Sequence, residues 1–154
     1  MKDMAEGFAP VGSHEAKVLI LGSMPGQKSL QETRYYAHPC NAFWKIMGEL
    51  LGISLDASYE AKLLALKAQQ IALWDVLKFC ERPGSLDSSI NNDSLIVNDF
   101  ETLFASWPNI HTIFFNGKKA AEVYRKHLPV TQHKLIGLPS TSPANAAMSY
   151  MKKL

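Results

Sequence analysis

Val18-Leu-Ile-Leu-Gly-Ser-Met-Pro-Gly26 decides the fold, because an unbroken apolar run passes straight into a glycine loop. A strand that is apolar at every position is covered on both faces, which is the habit of a parallel sheet under helices. The glycine loop releases the chain at the strand's carboxyl end, where open α/β sheets place their ligands. Next comes Tyr35-Tyr-Ala-His-Pro-Cys-Asn-Ala-Phe-Trp44, which carries aromatic rings, an imidazole and an amide into a helix start. A second loop, Leu138-Pro-Ser-Thr-Ser-Pro-Ala-Asn145, also follows an apolar run and opens at the same sheet edge. Two such loops can close on one substrate.

Outward from these stretches, short apolar runs alternate with helix-period segments, which predicts parallel β-α units. Strands are expected at 17–21, 71–74, 112–115 and 134–138, and helices over 42–51, 59–70, 94–106 and 118–127. In the first helix Phe43, Ile46, Met47, Leu50 and Leu51 share one face, and Gly52 is a good residue to end on. Ser94 is the expected N-cap of the third helix, with Pro108 and Pro129 as stops. The stretch 78–92, with Arg82-Pro-Gly84 and a Ser/Asn/Asp cluster, reads as a loop. The fold class is α/β, with the sheet covered on both sides.

The chain of 154 residues, 47% hydrophobic and 19% charged, is long enough for one core without metal or disulfide support. One domain over 1–154 is the expectation. Sixteen basic against fourteen acidic residues leave a formal charge of +2, so nucleic-acid binding would rest on a local patch rather than a global field. Cys40 and Cys80 are too few for a four-cysteine zinc or iron–sulfur site and fit a reduced compartment. With no signal-like run near the start and no segment approaching about 20 apolar residues, a cytoplasmic location is expected, with no membrane partner.

The strand ends place the pocket near residues 22–26, 75–78, 116–117 and 139–145. These loops hold serines, a threonine, two asparagines and an aspartate, but no cluster of carboxylates or metal ligands. That composition argues against metal-assisted hydrolysis. Gly22-Ser-Met-Pro-Gly26 is neither a dinucleotide fingerprint nor a phosphate loop. A nucleoside or a base suits amide-rich, aromatic-lined loops better.

Gly22-Ser-Met-Pro-Gly26, Tyr36-Ala-His-Pro-Cys-Asn-Ala-Phe-Trp44 and Ser140-Thr-Ser-Pro-Ala-Asn145 resemble, in order and placement, the motifs of the uracil-DNA glycosylase superfamily. The branch most resembled is that of the hypoxanthine (deoxyinosine) DNA glycosylases. The resemblance implies a three-layer α/β/α domain with a four-stranded parallel sheet, no metal or other cofactor, and hydrolysis of the bond between a deaminated base and its deoxyribose in base excision repair. It makes Asn41 the catalytic residue, since Ser23 stands where many branches carry Asn, Asp or Glu. An amide contributes by holding water against C1′ while an oxocarbenium-like sugar develops. By pattern alone Asn41 is also a helix N-cap, a role worth about 1 kcal/mol.

The resemblance further assigns base binding to Gly22, Ser23, Tyr36, His38 and Asn116. Tyr36 would stack on the extruded base and Asn116 would read it. Asn116-Gly117 is also a common turn pair, and His38 beside Pro39 equally fits a turn-fixing role. Phe43 and Trp44 read as core, and Tyr35 is the weaker stacking candidate. Ser140, Thr141, Ser142 and Asn145 form the loop expected to enter the DNA, with Ser140 where some branches carry a histidine; Ser142 and Pro143 also suit a helix entry. Lys118 and Lys119, with Lys28 and Arg34, are candidates for phosphate contacts. Two lysines in a first helical turn oppose the helix dipole, which favours the phosphate role over simple solvation.

The expected protein is thus a monomeric, monofunctional glycosylase acting on double-stranded DNA that contains a deaminated base, hypoxanthine before uracil or xanthine. No lysine lies within the motifs to form a Schiff base. The alternatives are a DNA-binding relative with lapsed catalysis and a hydrolase of free nucleosides.

Overall fold

The computed structural model describes residues 4–24, 34–36, 43–54, 56–81, 91–128 and 133–138. Its central sheet has four strands: β2 (Val18–Gly22), β3 (Ile71–Asp75), β6 (Thr112–Asn116) and β7 (Lys134–Leu138). The order is β3-β2-β6-β7 and every pairing is parallel. β2 is central because it is the most uniformly apolar strand; Leu19 and Leu21 have no exposure at all.

Alternation along the strands divides the core into two layers. Leu19, Leu21, Ile113 and Phe115 face helices α3 (Phe100–Ser106) and α4 (Lys118–His127), packing with Phe100, Leu103, Val123 and Tyr124. Ile20 and Leu73 face α1 (Phe43–Leu51) and α2 (Tyr59–Ala68), packing with Phe43, Trp44 and Leu66. This is the expected three-layer α/β/α arrangement. Among the described residues no helix is long and apolar enough to cross a membrane.

The helix ends follow local chemistry. Gly52 closes α1 at φ 74, its N–H donating to the Gly48 carbonyl at 2.9 Å, a left-handed stop that glycine enters without a Cβ clash. Ser58 caps α2 by accepting the Ala61 N–H at 3.1 Å. On α1 the buried face is Phe43, Trp44 and Ile46, whereas Leu50, expected on it, is 59% exposed.

A second sheet departs from the sequence reading. β1 (Met4–Glu6), β4 (Leu77–Glu81) and β5 (Asn91–Val97) form an antiparallel sheet in the order β1-β4-β5. The stretch expected to be a loop therefore begins as β4, and Ser94 lies in β5 instead of capping a helix. The consecutive apolar residues Leu95, Ile96 and Val97 suit a strand, and the cap falls to Asp99. Its carboxylate accepts the Thr102 N–H at 3.1 Å and the Thr102 hydroxyl at 2.6 Å. Residues 82–90, including Arg82-Pro-Gly84, lie outside the described residues.

His133, just before β7, is half-buried with its ring 4.1 Å from that of Phe104 on α3. Burial lowers its pKa below the usual histidine value, outweighing a hydrogen bond to the Ile110 backbone that works the other way. Protons therefore prefer the unfolded chain. This contribution to stability is complete above about pH 6.5 and is lost as pH falls through the lower, folded value. Thermal melts from pH 7.5 to 5 should show a drop for the wild type that is shallower in His133→Gln; parallel curves would refute the assignment.

Candidate active site

The parallel register sets the carboxyl ends of three strands side by side. Gly22 pairs with Asp75, and the Leu21 to Phe115 pairing brings Asn116 to the other flank of Gly22. Gly22, Asp75 and Asn116 continue the alternation of Ile20, Leu73 and Phe114, so they belong to the face covered by α1 and α2. Adjacent strands lie about 4.8 Å apart, so the glycine is a floor without a side chain between a carboxyl group and an amide.

Gly22 is required by close approach. A Cβ there would stand 2.6 Å from Asp75 Oδ1 and 3.4 Å from the Tyr36 hydroxyl. The carboxyl and the phenol therefore converge above the strand end. Asp75 is only 3% exposed, and its main-chain carbonyl accepts the Asn98 side-chain N–H at 2.7 Å. The Val76 and Leu77 N–H groups donate to the Gly22 and Ser23 carbonyls, locking β4's start to the end of β2.

Tyr36 lies beside this floor with its ring stacked on Phe43, centroids 3.9 Å apart and planes 17° from parallel. Its φ of 55 is left-handed, a conformation costing a non-glycine residue about 1–3 kcal/mol. Surrounding structure must hold it there. Tyr35 supplies the anchor: its N–H donates to the Tyr59 hydroxyl at 2.9 Å, its carbonyl accepts the Trp44 indole N–H at 3.0 Å, and its own hydroxyl donates to the Ala9 carbonyl at 3.1 Å. The Tyr35 phenol is held far above its ordinary pKa, first by burial and then by the nearby Asp75 charge, so it remains a donor.

Of the residues expected at the site, the structure brings Gly22, Tyr36 and Asn116 to one face of the sheet edge. Ser23 follows at the end of β2, only 5% exposed. Lys118 and Lys119 occupy the first turn of α4, beginning two residues past Asn116, Lys118 exposed and Lys119 half-buried. Gly117, between them and the strand, has φ 102 and is the N-cap residue of α4. Phe43 and Trp44 are buried, as expected of core residues, and Tyr35, the weaker stacking candidate, is buried as well. Lys28, His38, Asn41, Ser140, Thr141, Ser142 and Asn145 lie outside the described residues.

Asp75 fell within the 75–78 strand end expected to border the pocket but was assigned no role there. Its signal was a charged residue directly after the buried run Ile71-Ala-Leu-Trp74, one position beyond the expected strand end. Extending that strand by one residue sets it beside Gly22.

The strand end thus sets an aromatic stack, a buried acid and an asparagine around Gly22. The family model of the uracil DNA glycosylase superfamily matches residues 9–154, and the chain belongs to that superfamily. It is 41% identical over 144 residues to a hypoxanthine DNA glycosylase of Methanosarcina acetivorans, covering 93% of this chain and 89% of the relative. A hypoxanthine DNA glycosylase of Methanosarcina barkeri is 39% identical over 141 residues, covering 91% and 87%. The solution NMR structure of a Methanosarcina acetivorans protein described as a candidate uracil DNA glycosylase shares the fold with a TM-score of 0.84. Its identity is 39%, over 97% of this chain and 92% of that one.

Proposed function

We propose that this protein is a monofunctional DNA glycosylase that removes a deaminated base, hypoxanthine before uracil or xanthine, from double-stranded DNA, acting as a monomer in the cytoplasm. The observation that carries the reading is the Gly22 floor flanked by Asp75 and Asn116 beside the Tyr36–Phe43 stack. The two relatives named for hypoxanthine support the choice of base.

Deamination of adenine converts the ring nitrogen N1 from an acceptor into an N–H donor and the amino group into a carbonyl. Asp75 accepts that N–H, and the Asn116 amide donates to the new carbonyl. Adenine presents the opposite pattern, which leaves buried groups unmatched. Stacking on Tyr36 contributes about 1–3 kcal/mol. Extrusion costs a few kcal/mol, and less from the weakened pair that deamination creates.

In the chemical step water adds its oxygen to C1′ as the C1′–N9 bond breaks. The bond's electron pair leaves with the base, and the proton shed by water ends on it. The sugar is cationic in the transition state, so Asn41 need only hold and orient the water. Lys118, Lys119 and Arg34 meet phosphates, and Ser140, Thr141, Ser142 and Asn145 enter the space around the extruded nucleotide, with His38 at the base or a neighbouring phosphate.

A single-turnover panel of duplexes carrying hypoxanthine, uracil or xanthine tests the reading, with free deoxyinosine as a further arm. Release of hypoxanthine fastest, leaving an abasic site without a strand break, is the expected result. Lesion binding without release would make the protein a lapsed relative, and turnover of free deoxyinosine would make it a nucleoside hydrolase.

A further inference from the structure

The Tyr36 ring is held by residues that themselves lie away from the pocket floor. The Tyr35 carbonyl belongs to the peptide shared with Tyr36 and the Tyr35 N–H to the peptide before it, so holding both fixes the two planes that meet at Tyr35 and, through them, the direction from which Tyr36 turns into its left-handed φ. Trp44 of α1 holds the carbonyl, Tyr59 at the start of α2 holds the N–H, and Ala9 holds the Tyr35 hydroxyl. Three separate segments thus use every polar group of Tyr35.

We propose that Tyr59 is a positioning residue for base capture: by accepting the Tyr35 N–H, its hydroxyl sets the strained turn that aims the Tyr36 ring at the extruded base. The inference rests on the reading of Tyr36 as the ring that stacks on the base. Tyr59 is suited to this role because its ring is fixed independently of the bond. It packs edge-on against Trp44 at 6.2 Å, and the Arg34 guanidinium lies over it at 5.5 Å from the ring centre. Burial raises the Tyr59 pKa, with the Tyr35 N–H and Arg34 opposing the shift, so the hydroxyl remains protonated through the working range.

The geometry also separates positioning from support of the core. Trp44 is 9% exposed and packs edge-on against Phe43, so altering it opens the interior. Tyr59 is half-buried at a helix start, and Tyr59→Phe removes a single oxygen while keeping the ring contacts.

Tyr59→Phe should lower single-turnover hypoxanthine release about five- to tenfold, the scale of one lost buried hydrogen bond. Duplex affinity should stay close to wild type and the melting temperature should fall by only about 2–4 °C. In a Tyr36→Ala background the same change should have no further effect, because a residue acting through Tyr36 has nothing left to position. NMR gives a readout independent of activity: the strong intraresidue amide-to-Hα contact of a left-handed Tyr36 and its ring contacts with Phe43 should weaken in Tyr59→Phe. An unchanged Tyr36 signature overturns the inference whatever the rates, as do losses that multiply in the double variant. A wild-type protein that releases no base sinks the glycosylase reading instead, and the NMR comparison still decides whether Tyr59 sets Tyr36.

Discussion

Asn41→Ala should lower single-turnover release of hypoxanthine by about 10²–10³-fold, the scale of a lost transition-state hydrogen-bonding group, while duplex affinity should change little. The separation follows from what an amide does here. In the proposed mechanism it adds nothing to phosphate contacts, which dominate affinity, and acts only on the water and the charge that develops at C1′. Asn41→Asp should retain more activity than Asn41→Ala, because a carboxylate also holds water. Normal release by the alanine variant, or a loss wholly accounted for by a lower melting temperature, would remove Asn41 from catalysis.

Gly22→Ala is expected to reduce release by about 10–100-fold, from overpacking worth about 1–3 kcal/mol felt at the reacting complex. The new methyl would stand 2.6 Å from Asp75 Oδ1, and Asp75 is too enclosed to swing away freely. Either the carboxyl leaves its place at the base edge or the base rides higher above the sheet. Phosphate contacts are untouched, so undamaged duplex should bind as before. A variant with wild-type release and an intact melt would show that the base sits elsewhere along the sheet edge.

Much of this was readable in the chain because burial on both faces leaves a plain mark. Leu19-Ile-Leu21 and Ile113-Phe-Phe115 could hardly be anything but inner strands, and Gly52 and the 118–127 helix stood where their chemistry put them. The second sheet was less legible. β5 begins Asn91-Asn-Asp-Ser94, a run of turn formers whose strand state depends on pairing with β4, a tertiary choice that overrides local preference. At the candidate site, Gly22 and Tyr36 were expected from their motifs and Asn116 from its place at a strand end. Asp75 was assigned no role, because its importance comes from the register against Gly22, and register is invisible until two distant strands are laid together. The same holds for Tyr59, whose hydroxyl matters only because α2 brings it to the Tyr35 N–H.

The strand order β3-β2-β6-β7 also has a kinetic side. β2 meets β3 and β6 only across long stretches of chain, whereas β6 and β7 are joined through α4 alone, and the long-range pairings are expected to form late because loop closure must precede the contacts that reward it. A growing chain that has not yet reached Thr112 can set Asp75 beside Gly22 but has no opposite wall. On the proposed reading, selectivity for a deaminated base is expected to be among the last properties to emerge as the protein folds, arriving with the docking of β6.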